Sequence, residues 1–543
     1  MRTLTRRHFV VQSSKIAAGF SLWPLLSSCG RTPVSSASRK KFVILGIDGM
    51  DPFLLARFIK EGAMPNFLRL VNIGGLREMR SSIPPQSPVA WSDFAVGATA
   101  KVHGIFDFIH RDPKTMIPYF STSQVYSTTR NLSIGDWEIP LGSGSVKQLR
   151  EGKPFWEYLE EAGIPSTIFK LPANFPAQSK TTKIMSGMGT PDLLGSYGTF
   201  SLFTSSPPDK LKEITGGMII PVKIINNKIT AELKGPINTL KKDKSNIRIP
   251  FVVWRDPQNK VIKLILQDHE LIMTTGEWSD WLQLSFDFLP YIKSVKGICK
   301  IYIKQIHPEF EMYVSPMNID PSDQALPITS SGEYGRELVD QIGFFHTKGL
   351  PADTKALSYD VLPEEEYLEL SRQILDESKA AMRYELGKLN SQKCGVLFFY
   401  FSNLDQDSHM FWRAIDRNHP LYTQDLGKTY SGVIKNLYKD MDNILGDVFK
   451  SIESRNDNFR LIVMSDHGFA PFYRCVNLNT WLLNNGLVSL IDRHSQGEHT
   501  FFENVNWSKT KAYGLGINAL YLNLAGREQY GTIGKHEAKK LLA

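Results

Sequence analysis

Five acidic or imidazole side chains of the sequence each follow one of three short apolar runs. They are, in chain order, Asp48, Asp405, His409, Asp466 and His467. Carboxylate oxygen and imidazole nitrogen together are ligands that suit zinc or manganese, and the absence of cysteine among them argues against a structural zinc site. These residue types therefore predict sites for divalent cations.

Ser87 is the candidate nucleophile. Pro88 follows it directly, and proline is favoured in the first turn of a helix because its missing N–H would be unpaired there anyway. Ser87 is therefore predicted to lie at a helix N-terminus, where free N–H groups and the helix dipole favour anions. The simpler alternative is that Ser87 only caps this helix. Beside metal ions both roles are compatible, because a cation activates a serine hydroxyl.

The elements that must position these residues are strands of one sheet. The nearly continuous apolar run Lys41–Asp48 is typical of a strand buried on both faces. Helix-period stretches at Glu364–Leu389 and Tyr430–Ile444 each lead into another apolar run, at 396–401 and 460–465. This alternation predicts an α/β fold with a mostly parallel central sheet flanked by helices. Because parallel sheets bind ligands beyond the carboxyl ends of their strands, the candidate ligands are expected to meet there.

Each candidate ligand also has a simpler interpretation on its own. An Asp at the end of a strand often caps the next helix or forms a turn, and the spacing of Asp405 and His409 is common by chance. The occurrence of such residues at the ends of three predicted parallel strands favours the metal site.

An amphipathic stretch, Pro52–Leu70, follows the first strand and is predicted to be helical.

A β-rich insertion is predicted to interrupt the α/β domain. Short alternating stretches separated by Asn, Asp, Gly and Pro turns indicate an antiparallel module; they are 218–225, 250–254, 261–266, 281–288 and 298–305. Trp278 and Trp281 are expected to pack in this module rather than line a pocket. The predicted division is 41–215 for the first part of the catalytic α/β domain, 216–315 for the insertion and 316–543 for the second part.

The N-terminal segment predicts export. Residues 1–28, with Arg6-Arg7 and a charge-free stretch behind them, resemble a twin-arginine signal peptide. The residues before Cys29 resemble a bacterial lipobox, so Cys29 is expected to carry a lipid and residues 29–40 to form a tether. The alternative is a short anchor that is never cleaved. In both cases the protein would lie on the periplasmic or another extracytoplasmic face of a membrane.

The net charge argues against a nucleic-acid-binding protein, and the cysteine content argues against a disulfide-stabilised fold. The formal net charge of +8 falls to 8 − 4 = +4 without the four cations of residues 1–28, which is too small to indicate binding to nucleic acid. The other three cysteines are Cys299, Cys394 and Cys475. They are expected to be buried and unreactive, and a single disulfide between two of them is the alternative.

The motifs together resemble the alkaline phosphatase superfamily, and within it the type I phosphodiesterase/nucleotide pyrophosphatase branch. The segments that carry the resemblance are Gly46–Gly49, Ser87–Gly97, Lys101–Ile105, Asp405 with His409, and Asp466–Gly468. The resemblance implies two adjacent divalent metal sites, usually zinc, with manganese as the alternative. Their implied ligands are Asp48, Ser87, Asp466 and His467 for one site, and Asp405, His409 and a third histidine for the other.

The resemblance also implies an activity, which is metal-dependent hydrolysis of phosphate mono- or diesters. Ser87 would attack phosphorus in line and form a phosphoserine that is then hydrolysed. The implied substrate is a phosphorylated small molecule or a nucleotide-like molecule. His103 matches the His-Gly-Ile segment of the family and is expected to be structural. The sulfatase branch is excluded because no cysteine lies near Ser87.

The third histidine has no clear candidate. Only His494, His499 and His536 follow His467, and none of them is placed by a predicted strand. We therefore expect a C-terminally incomplete version of the domain, with two protein ligands at the Asp405/His409 site. Two alternatives to hydrolysis follow: a non-catalytic, lipid-anchored binding protein on a degenerate phosphatase scaffold, or a phosphomutase or phosphotransferase of the same superfamily. The sequence does not indicate an oligomeric state.

Overall fold

The structure is a computed structural model, and it describes residues 40–542 except 127–129, 143, 209–213, 291, 454–457, 496–498, 500 and 518. The predicted signal peptide, Cys29 and nearly all of the predicted tether lie outside these residues. Within the described ranges, no helix has the length and apolar character needed to cross a membrane.

The helices are distributed over both halves of the chain. They are α1 (Pro52–Lys60), α2 (Pro65–Gly74), α3 (Ser87–Val96), α4 (Ala100–His103), α5 (Phe155–Glu161), α6 (Gly332–Ile342), α7 (Thr354–Ser358), α8 (Glu364–Ser391), α9 (Asn403–Ile415), α10 (Gln424–Tyr430), α11 (Val433–Glu453), α12 (Leu478–Asn484) and α13 (Lys535–Leu542).

The strands cluster in the middle of the chain. They are β1 (Lys40–Ile47), β2 (Ile109–Arg111), β3 (Pro118–Phe120), β4 (Ser123–Tyr126), β5 (Asn131–Ile134), β6 (Trp137–Pro140), β7 (Ser145–Gln148), β8 (Ser166–Leu171), β9 (Lys183–Ser186), β10 (Phe200–Thr204), β11 (Gly217–Pro221), β12 (Lys228–Ile237), β13 (Asn246–Arg255), β14 (Val261–Leu266), β15 (His269–Thr274), β16 (Glu277–Trp278), β17 (Leu282–Leu289), β18 (Lys293–Cys299), β19 (Ile301–Gln305), β20 (Glu311–Val314), β21 (Asn318–Ile319), β22 (Gly395–Phe401), β23 (Asn458–Met464), β24 (Ala512–Leu515) and β25 (Ala519–Leu522).

The central sheet has the strand order β23-β1-β22-β8-β9, and all of its pairings are parallel. Every residue of β22 is buried, as expected for a strand that helices cover on both faces. One face packs against α3 and α5, and the other against α1, α2, α8, α9 and α11. The predicted α/β fold with a parallel sheet flanked by helices is therefore confirmed.

β23 differs from the buried strand that its apolar sequence predicts. Its side chains alternate between exposed and half-buried, and Ile462 is 46% exposed. The physical reason is its position at the edge of the sheet, where β1 is its only partner among the described strands.

The predicted amphipathic stretch Pro52–Leu70 forms two helices, α1 and α2. Gly62 lies between them with a φ of 73°, a left-handed conformation that glycine adopts without steric cost. Pro65 then begins α2. The turn lets both helices pack on the same face of the sheet.

A second hydrophobic core lies among the antiparallel strands of the middle region. β12 and β15 were not predicted, and the predicted strand 298–305 is two strands, β18 and β19, in different sheets. Trp278 packs with its ring 4.8 Å from that of Tyr302, and Trp281 donates a hydrogen bond to Glu377. The domain division at 215 and 315 stays a prediction. Phe203 of β10, which precedes the predicted insertion, also belongs to this second core.

The three cysteines within the described residues are free. Cys299 is buried and Cys394 is partly buried, whereas Cys475 is exposed. The expectation that Cys475 is buried is therefore wrong, because it lies in an irregular segment after β23 in which residues 470–477 are all exposed.

Candidate metal centre

The candidate centre lies at the carboxyl edge of the central sheet, where three neighbouring strands end. Asp48 follows β1 directly, and Asp466 follows β23 after one residue. Asp405 lies in the first turn of α9, which begins two residues after β22 ends. Because these strands are parallel and adjacent, their carboxyl ends bring the three carboxylates to one place.

Asp48 is the most enclosed of the candidate ligands, with no exposed surface. Its Oδ2 accepts hydrogen bonds from Nε1 of Trp91, at 3.4 Å, and from the hydroxyl of Tyr400. Its Oδ1 lies 3.3 Å from Oγ of Ser87 and 3.3 Å from Nε2 of His467. One oxygen is therefore held by the protein interior, and the other faces the centre.

Ser87 is the first residue of α3, with Pro88 in the first turn. The N-cap position belongs to Gln86, and no described side chain forms a capping hydrogen bond there. The alternative that Ser87 only caps the helix is therefore wrong. Its hydroxyl instead points at Asp48 and His467, at 3.3 Å from each.

Asp405 and His409 lie one helical turn apart on α9, with Nε2 of His409 3.4 Å from Oδ1 of Asp405. The imidazole is 60% exposed and contacts the ring of Phe469. Gly49 packs against Asp405 so closely that a Cβ on this glycine would lie 3.0 Å from Oδ1. Gly49 has a φ of 65°, so both the conformation and the space favour glycine.

His467 presents Nε2 to the centre because its other nitrogen is used. Nδ1 lies 2.7 Å from the carbonyl oxygen of Gly468, which only accepts, so Nδ1 carries the hydrogen. A hydrogen bond of this kind fixes the tautomer in which Nε2 can bind a cation. Nε2 lies 3.5 Å from Oδ2 of Asp466 and 3.8 Å from Oδ1 of Asp405.

The electrostatics of the centre are those of crowded carboxylates. Burial and the charge of Asp48 raise the pKa of Asp405 and raise that of Asp466 well above its ordinary value. Burial alone would lower the pKa of His467, but its hydrogen bond to Asp48 and the surrounding carboxylates raise it to about 10. A proton and a divalent cation would therefore compete for Nε2, because either one offsets the charge of these carboxylates.

The residues of the centre fit a divalent cation. Oδ1 of Asp405 and Oδ2 of Asp466 are buried and have no hydrogen-bond partner among the described residues, which leaves both atoms able to coordinate. One ligand atom each from Asp48, Asp405 and His467 lies within 4.8 Å of the others. Carboxylate and imidazole donors in this number suit zinc or manganese. The group combines residues from both of the predicted ligand sets.

The three histidines that follow His467 do not join this group. His494 and His499 lie on an exposed loop, and His536 lies on the exposed first turn of α13. Nε2 of His499 lies 3.2 Å from Oγ of Ser495. Among the described residues, the histidine that is grouped with Asp405 is His467, which belongs to the other predicted ligand set. The third ligand of that site stays unassigned.

His103 is fully buried and does not belong to the group of Asp48, Asp405 and His467. Its Nε2 lies 2.7 Å from Asp93, and its Nδ1 accepts a hydrogen bond from the backbone of Ile105. Both ring nitrogens are thus used to join α3 to the turn after α4.

Two residues that support Asp48 were not predicted, Trp91 and Tyr400. Trp91 lies four residues after Ser87, on the same face of α3, so the helical spacing could have identified it. Tyr400 pairs with Gly46 across β22 and β1. Its approach to Asp48 depends on the strand register, which the sequence does not contain.

Comparison with known proteins identifies the family of the chain. The family model described as type I phosphodiesterase/nucleotide pyrophosphatase matches residues 42–282 and 334–543. No curated protein and no solved structure matches the chain. The family lies in the alkaline phosphatase superfamily; its members are metal-dependent phosphoric ester hydrolases that act on phosphorylated or nucleotide substrates. The chain therefore belongs to the type I phosphodiesterase/nucleotide pyrophosphatase family.

Proposed function

We propose that the protein hydrolyses phosphate mono- or diesters with Ser87 as nucleophile and two divalent cations, zinc or manganese, as cofactors. The observation that carries the proposal is the position of Oγ of Ser87, 3.3 Å from both Oδ1 of Asp48 and Nε2 of His467. A hydroxyl that begins a helix and faces candidate metal ligands is suited to attack a phosphoryl group, because the helix N-terminus favours anions.

Each residue has a defined part in the proposed reaction. Ser87 donates a hydrogen bond to Asp48, which orients Oγ. Attack of Oγ on phosphorus breaks the bond from phosphorus to the leaving oxygen and leaves the phosphoryl group of a monoester, or the esterified phosphoryl group of a diester, on Ser87. The proton of the hydroxyl passes to solvent, and the leaving oxygen takes up a proton from solvent. Water then releases phosphate from the first intermediate, or a phosphate monoester from the second, and restores the hydroxyl. Bound cations supply the positive charge that neutralises the phosphoryl oxygens. The residues that would hold them are Asp48, Asp405, His409, Asp466 and His467.

The test compares Ser87→Ala with Ser92→Ala on nitrophenyl phosphate and bis(nitrophenyl) phosphate, after loading with Zn²⁺ or Mn²⁺. Ser92 is a matched control, because its buried hydroxyl lies on the same helix but donates to the carbonyl of Pro88. We expect S87A to lose turnover by several orders of magnitude and S92A to retain it. Turnover that survives in S87A would remove the nucleophile assignment.

A second candidate function is a non-catalytic binding protein on the same scaffold. The observation that favours it is the exposure of His494, His499 and His536, which leaves Asp405 and His409 without a third histidine among the described residues. The same assay separates the two candidates. Binding of inorganic phosphate by the Zn²⁺-loaded protein, without turnover of either ester, would favour the binding protein.

We also propose that the protein is exported and anchored to a membrane through Cys29. The supporting observations are Arg6-Arg7 and the lipobox-like residues before Cys29. We expect Arg6→Lys with Arg7→Lys to retain the protein in the cytoplasm, and Cys29→Ser to release it from the membrane fraction. Cys475→Ser is the control, because Cys475 is an exposed cysteine far along the chain from the leader. Cytoplasmic protein in the unaltered strain would contradict the proposal.

A further inference from the structure

Asp407 lies on α9 between Asp405 and His409, but its side chain is on the opposite side of the helix. Two residues along an α-helix correspond to a rotation of about 200°, so Asp407 faces away from the candidate centre. It is 1% exposed. Oδ1 accepts a hydrogen bond from the hydroxyl of Tyr367 at 2.9 Å, and Oδ2 accepts one from the hydroxyl of Ser371 at 2.7 Å.

The two donors come from one face of the long helix α8. Tyr367 and Ser371 are four residues apart, so their side chains lie one above the other. Tyr367 is fully buried. Nδ2 of Asn403, at the start of α9, also donates to the carbonyl oxygen of Ser371 at 3.0 Å. The first turns of α9 are therefore joined to α8 by three directional hydrogen bonds.

We propose that Asp407, Tyr367 and Ser371 form a positioning unit that fixes the rotation of α9 and so presents Asp405 and His409 to a divalent cation. Apolar packing alone would tolerate a small rotation of α9, whereas two hydrogen bonds to the two oxygens of one carboxylate do not. A rotation would move Asp405 and His409 together, because all three residues lie on the same rigid helix. The inference rests on the proposed cation site.

The structure offers a matched control for a purely structural role. Tyr334 is also buried, at 2% exposure, and its hydroxyl donates to Oε1 of Glu385 at 3.0 Å. This is the same kind of tyrosine–carboxylate hydrogen bond, and Glu385 also lies on α8. The Tyr334–Glu385 bond joins α6 to α8 and does not involve α9. Loss of either tyrosine hydroxyl leaves a buried carboxylate with one donor fewer, but only Tyr367 acts on the centre.

The experiment titrates metal-free full-length protein with Zn²⁺ by calorimetry, without substrate. Loss of hydrogen bonds that support metal ligands typically weakens metal affinity about 10–100-fold, and we expect this for Tyr367→Phe combined with Ser371→Ala. Tyr334→Phe should bind Zn²⁺ like the unaltered protein. Asp407→Asn keeps the shape and one acceptor oxygen, so it should lose less affinity than Asp407→Ala. Equal losses in Y367F/S371A and Y334F would overturn the proposal.

A double-mutant cycle tests whether the unit acts through His409. Residues that act through one another have non-additive effects, so Y367F should weaken Zn²⁺ binding less in a His409→Ala background than in the unaltered protein. Additive effects would overturn the proposal. Because no substrate is used, a protein that binds Zn²⁺ with this pattern but hydrolyses no ester would contradict the proposed activity and still support the positioning unit.

Discussion

Nε2 of His467 lies 3.3 Å from Oδ1 of Asp48, and the imidazole stands among three carboxylates that belong to separate parts of the chain. The contact joins the ends of β1 and β23. It also explains why the pKa of His467 rises to about 10 despite burial, because a positive charge at this point offsets the repulsion between buried carboxylates. A divalent cation would offset that repulsion more strongly.

Zn²⁺ is therefore expected to stabilise the folded protein. A ligand that binds only the folded state adds about 2.7 kcal/mol at 100 times its Kd, so the midpoint of thermal unfolding should rise when Zn²⁺ is added to metal-free protein. Asp466→Asn should reduce this increment. Asp442→Asn is the control, because Asp442 is a buried carboxylate that accepts hydrogen bonds from Asn66 and Phe67. An unchanged midpoint with excess Zn²⁺ would contradict the assignment.

Gly49→Ala should weaken Zn²⁺ binding as well as folding. The left-handed conformation costs a non-glycine residue about 1–2 kcal/mol, and the new Cβ would also press on Asp405. Gly62→Ala is the control, because Gly62 has a φ of 73° and no described atom lies within 4 Å of the position that its Cβ would take. We expect similar losses in the free energy of unfolding, and loss of Zn²⁺ affinity in G49A alone. Equal Zn²⁺ affinity in the two variants would show that the contact with Asp405 is unimportant.

Gly516→Ala should lower turnover indirectly, through contacts that lead from Gly516 to Ser87. Oδ2 of Asp107 accepts hydrogen bonds from Nε2 of Gln86 at 3.2 Å and from the backbone of Ile517 at 2.9 Å, and a Cβ at Gly516 would overlap this carboxylate. Gln86 directly precedes Ser87, so the disturbance reaches the proposed nucleophile. Small misplacements of reacting groups cost up to about 100-fold in rate.

The control for this prediction is Gly526→Ala. Gly526 has a φ of 83°, close to the 75° of Gly516, but its Cβ position has no described atom within 4 Å. Both variants should lose stability in urea unfolding, whereas only G516A should lower kcat with nitrophenyl substrates. Equal kcat values would refute the link from Gly516 to Ser87.

Glu337 should stabilise the fold in a pH-dependent way. Burial alone would raise its pKa, but hydrogen bonds from Lys183, Lys388 and Tyr384 lower it to about 2. Since the folded pKa lies below the value of about 4.3 in an unfolded chain, this stabilisation is complete above about pH 5 and is lost as the pH falls towards 2. Urea unfolding should therefore show Glu337→Gln less stable than the unaltered protein at pH 7, with a smaller difference at pH 3. A constant difference would contradict the prediction.

The fold class and the three strands that end at the candidate centre could be predicted from the sequence, because they depend on local periodicity. A continuous apolar run such as that of β22 is stable only between two layers of helices, and helical stretches on either side supply those layers. The carboxyl ends of parallel strands share one edge, so the approximate meeting place of Asp48, Asp405 and Asp466 also follows from the strand assignment. The break between α1 and α2 could also have been predicted, because Gly62 favours a turn and Pro65 favours the first turn of a helix.

Tertiary structure alone decided how these residues are arranged at that edge. Strand order determined that β23 lies outermost, so that its apolar side chains are half-exposed rather than buried. Register placed Tyr400 against Asp48, and the rotation of α9 turned Asp405 towards the centre and Asp407 towards α8. Each of these depends on contacts between segments far apart in the chain. Local sequence specifies which residues form a strand or helix. Packing and hydrogen bonding with distant segments decide which elements lie beside that strand or helix and how it is rotated.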